Sequence, residues 1–97
     1  MDNIFEITDK TGRKIRLTKK DLKHVTCHKG MENEIEKIKE TLTNPLKIDP
    51  HGTGELYDYY RYYKDRKAKA KFLQVVVKYL NGDGFVITAY FVRQIKT

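Results

Sequence analysis

A single cysteine, Cys27, is all the thiol chemistry this sequence offers. One thiol cannot build an internal disulfide framework, so a reducing, cytoplasmic setting is the expectation. No apolar stretch approaches the roughly 18 residues of a membrane span. The start, Met1-Asp2-Asn3-Ile4-Phe5-Glu6, lacks the basic opening and apolar run of a secretory signal. Tryptophan is absent, and only two prolines interrupt the chain. Acids are the minority charge: 13 Asp and Glu stand against 20 Lys and Arg, for a net charge of +7. With 39% hydrophobic residues in 97, the composition excludes collagen-like, mucin-like and strongly disordered chains and points to one domain over residues 1–97.

What is present is tyrosine and cation. Seven Tyr accompany four Phe, and Tyr57, Tyr59, Tyr60, Tyr62 and Tyr63 crowd into one stretch. A basic, tyrosine-rich chain suits an anionic partner with flat groups, and RNA fits that description. The plainer alternative is a basic domain whose tyrosines are half-buried strand residues. Charge is unevenly spread. Residues 10–29 hold eight cations and one acid, Asp21; residues 31–43 turn acidic; residues 61–71 hold six cations opposed only by Asp65.

Alternation over residues 4–8 and 14–17, around Asp9-Lys10-Thr11-Gly12, predicts an N-terminal hairpin. Thr18 with Asp21 three positions on reads as a helix N-cap, so a short helix is expected over residues 19–27, stopping near Gly30. A second helix is expected over residues 31–43, because Met31, Ile35, Ile38 and Leu42 form one stripe of a 3.6-residue period. Asn44-Pro45 ends it. Residues 48–54 read as a loop. Strands are expected at 55–63, 71–80 and 85–92, with a basic connection at 64–70 and a tight turn at Asn81-Gly82-Asp83-Gly84. The fold class is α+β, helices first and then an antiparallel meander.

Alternation sorts each strand into two faces. Gln74 and Lys78 of one strand, and Thr88 and Tyr90 of the next, are expected to share the face away from the helices. That requires an odd number of loop residues between the two strands. Arg61 is expected on the same face. His24 and His28, four residues apart, stack on one side of a helix and titrate near neutrality, which suits an acid or base. The plainer alternative is that both histidines merely decorate a basic helix. Metal is not expected: His24, Cys27 and His28 would need His51 from a distant loop. Cys27 reads as a small structural residue. Imidazoles, cations and hydroxyls over one sheet face are the parts for metal-independent RNA cleavage by 2′-OH attack. No P-loop or serine nucleophile elbow occurs.

Leu17-Thr18, His24-Val25-x-x-His28-x-x-Met31, Glu40-Thr41-Leu42-x-Asn44-Pro45-x-x-Ile48, Leu56-Tyr57, Val75-Val76-Val77-Lys78 and Gly84-Phe85-Val86-Ile87-Thr88-Ala89-Tyr90 resemble the barnase–EndoU–colicin–RelE-like nuclease domains. The likeness runs from Leu17 to Tyr90. It implies two N-terminal helices on an antiparallel sheet of about four strands, with a hairpin ahead. It also implies a metal-independent endoribonuclease, no cofactor, and the setting of a toxin or phage-conflict effector with an antitoxin or immunity protein as partner. His24, His28, Arg61, Lys78, Thr88 and Tyr90 fall at its catalytic positions, while Lys20, Tyr59, Arg66, Gln74 and Arg93 are expected to bind RNA. One departure stands out: the family's Pro-Glu after the second His is here Lys29-Gly30, so a Glu general base at that point is absent. The rival readings are a non-catalytic nucleic-acid-binding module and a protein-interaction domain using the acidic helix or an exposed strand edge.

Overall fold

The computed structural model describes residues 3–27, 31, 33–51 and 54–95. The chain begins with a hairpin, β1 (Asn3–Thr8) and β2 (Lys14–Thr18), paired Phe5 to Leu17 and Ile7 to Ile15. Helices α1 (Lys19–Thr26) and α2 (Ile35–Thr43) follow, then β3 (Lys47–His51), β4 (Leu56–Tyr62), β5 (Phe72–Leu80) and β6 (Asp83–Val92). The six strands form one sheet in the order β1-β2-β6-β5-β4-β3. Neighbours are antiparallel except β2 and β6, which run parallel through Ile15–Gly84 and Arg16–Phe85.

This corrects the expected architecture. The sheet has six strands and is mixed, not an antiparallel meander of about four; the N-terminal hairpin is where it was expected, and it joins that same sheet. After α2 the chain crosses to the far edge at β3 and returns strand by strand until β6 lies beside β2. Residues 48–54 were expected as a loop, but 47–51 pair with β4, Lys47 to Tyr60 and Asp49 to Asp58. Pro50 does not forbid this, because β3 is an edge strand with one side free of ladder bonds.

Helix α1 starts where its cap places it: the Thr18 hydroxyl accepts the Asp21 N–H at 3.2 Å. Helix α2 begins at Ile35, four residues later than the apolar stripe suggests. Asn33 sits in a turn, and the Glu34 N–H donates to the Met31 carbonyl at 3.3 Å. Met31 still reaches the core from outside the helix. Ile38 and Leu42 from α2 and Val25 from α1 pack with Ile15, Leu17, Tyr59, Leu73, Val75, Val77, Val86 and Ala89. One sheet face is therefore the helix side; the opposite face is open only in part, because Asp58, Tyr60, Gln74 and Val76 at its middle are buried as well.

Two details set the phase of β6. Asn81 and Gly82 form a two-residue turn at φ 53° and 86°, the left-handed pair that suits a type I′ hairpin. The expected odd-numbered loop is thus absent. Instead Val76 pairs with Thr88 and Val77 with Val86, so Ile87 is a bulge that restores the parity within the strand. Gly84 lies where β6 crosses the core: a Cβ there would stand 2.9 Å from the Tyr79 ring and 3.1 Å from Ile15.

Candidate nucleic-acid interface

The β4–β5–β6 register stacks side chains in rows across the open face. Leu56, Lys78 and Phe85 form one row; Asp58, Val76 and Thr88 the next; then Tyr60, Gln74 and Tyr90; then Tyr62, Phe72 and Val92. Gln74, Lys78, Thr88 and Tyr90 do share this face. The middle of it is acidic and hydroxylic. Asp58 and Asp49 oppose one another across strands, and Lys47 pairs with Asp49 at 3.4 Å. Burial, then the charges of Asp58 and Asp49 and the neighbouring Tyr90, push the Tyr60 hydroxyl up to about 12. Burial and Asp58 also raise that of Tyr90. These groups favour protonated hydroxyls and repel a phosphate at the centre of the face.

Three expected site residues lie on the helix side. Arg61 is the correction in phase: it follows Tyr57 and Tyr59, whose face is fixed by Tyr59 in the core. Its guanidinium donates to the Asn44 carbonyl at 2.8 Å, and its Nε stands 3.4 Å from the Glu40 carboxylate, an ion-pair distance without a hydrogen bond. Arg61 thus closes the C-terminal end of α2. Tyr59 is buried and donates to Asp9 at 2.5 Å. Arg66 lies over Phe91, its guanidinium carbon 3.6 Å from the ring centroid, with its Nε donating to the Ala70 carbonyl at 2.9 Å.

His24 is exposed in the last turn of α1, and its carbonyl accepts the Cys27 thiol at 2.9 Å. Cys27 is itself exposed rather than packed. Lys20 is exposed in the first turn, and Arg93 is exposed just beyond β6. His28, with Lys29 and Gly30, lies outside the described residues. Among the described residues, no group of three His, Cys, Asp or Glu is placed to hold a metal ion. None of the described helices is long and apolar enough to cross a membrane.

A strongly cationic segment is the connection between β4 and β5. It is braced from within. The Tyr63 N–H donates to the Lys71 carbonyl at 2.8 Å, the Arg66 N–H to the Tyr63 carbonyl at 3.2 Å, and the Lys71 ammonium to the Arg66 carbonyl. Lys64, Lys67 and Lys69 are exposed and outside every ion pair among the described residues. Behind the loop, a groove of about 420 Å³ runs between it and α2, lined by Lys37 and Glu40 of the helix and by residues 61–66, Tyr62 and the acid Asp65 among them. Tyr63 ties the two sides together, donating to the Glu40 carboxylate at 2.8 Å. Burial and Glu40, against the opposing Thr41 hydroxyl, push its own hydroxyl up to about 12.

At the same end, on the open face, the Tyr62 and Phe72 rings meet with centroids 4.9 Å apart, and Tyr62 is 46% exposed. The charge run at 61–71 signalled this surface in sequence. The brace that turns it into a fixed shape, and the aromatic pair beside it, had no signal of their own. Comparison of the chain with protein-family models, with characterised proteins and with solved structures finds no match.

Proposed function

We propose that this chain is a nucleic-acid-binding module that holds the phosphodiester backbone of RNA at the β4–β5 end of its sheet. The observation that carries this reading is the braced loop presenting Lys64, Lys67 and Lys69 without internal counter-charges. A basic run spent on the fold pairs with its own acids; this one is left for an anion outside. Arg93, following β6 at the same end, adds to the field. Prepaying the order of the loop also lowers the entropic cost of binding.

The test is fluorescence anisotropy with a labelled 12-nucleotide single-stranded RNA over a salt series. Binding should weaken steeply with salt, losing about 0.7 in log K per decade of salt for each phosphate neutralised. No binding at 50 mM salt overturns the reading. Gel analysis of the same RNA in EDTA separates the second reading, an endoribonuclease. What favours that second reading is Lys78 on the same face as Thr88, in the row beyond the acidic middle. Cleavage that is lost in Lys78→Ala and His24→Ala would establish it over binding alone.

A further inference from the structure

We infer that the Tyr62–Phe72 pair is a base-stacking platform, and that the module therefore takes single-stranded rather than duplex nucleic acid. This rests on the binding proposed above and names the part of the strand that the aromatic pair reads. Tyr62 and Phe72 are directly opposite each other in the register and form the last complete row before the loop. Their rings are tilted by 47°, and with Tyr62 46% exposed part of its ring is open to a ligand. Tyr62 is one of three large hydrophobic side chains exposed among the described residues, with Leu46 and Leu80. It alone of the three is aromatic, and it stands two residues from Lys64, about 7 Å along an extended chain. Phe72 follows Lys71 directly. A strand whose phosphates meet the loop cations therefore brings an unpaired base within reach of these rings. Duplex bases are already stacked on one another and cannot make that contact. The charge complementarity of the flanking cations, opposed only by Asp65, selects a polyanion over an apolar peptide at this patch.

The experiment compares a base-bearing 12-nucleotide RNA with an abasic strand of equal phosphate number, both on the intact protein. A third strand carries 2-aminopurine, whose emission falls when it stacks. The wild type should bind the base-bearing strand roughly 5- to 100-fold more tightly than the abasic one, and should quench 2-aminopurine. Tyr62→Thr, which keeps strand propensity, should remove most of that preference and the quenching, while Tyr62→Phe restores both. Equal affinity for base-bearing and abasic strands in the wild type overturns the platform but leaves phosphate binding standing. Failure to bind either strand overturns the binding reading itself. Retained quenching in folded Tyr62→Thr also overturns the platform. A duplex of the same length bound as tightly as the single strand does so too.

Discussion

The β1–β2 turn and the β4–β5 connection lie at opposite ends of the sheet, and they treat charge in opposite ways. At the first, Asp9 is buried and accepts the N–H groups of Thr11 and Arg13 at 3.0 and 2.8 Å, together with the Thr11 and Tyr59 hydroxyls. The Tyr79 hydroxyl joins that of Tyr59, and the Arg13 guanidinium lies over the Tyr57 and Tyr79 rings at 5.4 and 4.7 Å. Asp9 and Arg13 there both have partners within the fold. At the second, the backbone is equally well bonded, yet Lys64, Lys67 and Lys69 are exposed and outside every ion pair among the described residues. Satisfied charge holds structure together, whereas ordered and unsatisfied charge is available to a partner.

The sharpest way to break this contrast is Asp9→Ala. It removes the buried acceptor of the Thr11 and Arg13 N–H groups and of the Thr11 and Tyr59 hydroxyls, so urea unfolding should show a loss of about 3 kcal/mol. RNA affinity of the folded protein should not change. A weakened affinity at full folding would mean that the turn also belongs to the interface. Next in size, replacing Lys64, Lys67 and Lys69 together by Gln should lower the slope of log K against log salt by about 2 and weaken binding at least tenfold. The urea midpoint should stay within about 0.5 kcal/mol of wild type.

Arg66→Lys is a smaller probe that tests the brace itself. It loses the guanidinium contact on Phe91, and about 1 kcal/mol of stability with it. Because the loop charge is unchanged, the accompanying loss of affinity, two- to threefold, measures preorganisation alone.

The mildest probe is pH, read by thermal melting. Burial works to raise the Asp9 carboxyl, but the Tyr59 hydroxyl, the Arg13 and Thr11 N–H groups and the Thr11 hydroxyl outweigh it and hold the group below its ordinary value. Its stabilisation is therefore full above about pH 4 and lost as pH falls below that. Tyr59 is shifted upward, by burial first and then by Asp9 and Tyr79. Its contribution is full below about pH 10 and lost as pH rises beyond it. Asp9→Asn should flatten the acid limb, while the lysine triple variant should leave both limbs as they are.

Legibility in the sequence followed the range of the interaction. The hairpin, the Thr18 cap and strands β5 and β6 rest on alternation, an N-cap side chain and Asn-Gly, all within a few residues of one another. The β2–β6 pairing has no such local mark: Arg16 reaches Asp83 at 3.1 Å across 67 positions. Strand β3 was hidden by its shortness and by Pro50, which an edge tolerates. The Ile87 bulge was hidden because a one-residue slip leaves the apolar pattern of Phe85-Val86-Ile87 unchanged. Arg61 was misplaced because β4 carries tyrosines on both sides, so alternation could not show which set faces the helices. Only Tyr59, clamped beneath Asp9, decides it. The cationic run was visible as charge, but which of its members were already spoken for depended on Phe91, Ala70 and Glu40.

The parallel seam between β2 and β6 has a consequence for how the chain is made. The first strand pair leaves the ribosome early, yet its inner neighbour is the final strand of the sheet, so that side of β2 waits unsheltered while nearly all the rest is synthesised. Assembly is then a clasp fastened last. A chain interrupted before Asp83 holds two fragments of sheet with bare margins, each ready to zip onto another molecule instead of its own missing half.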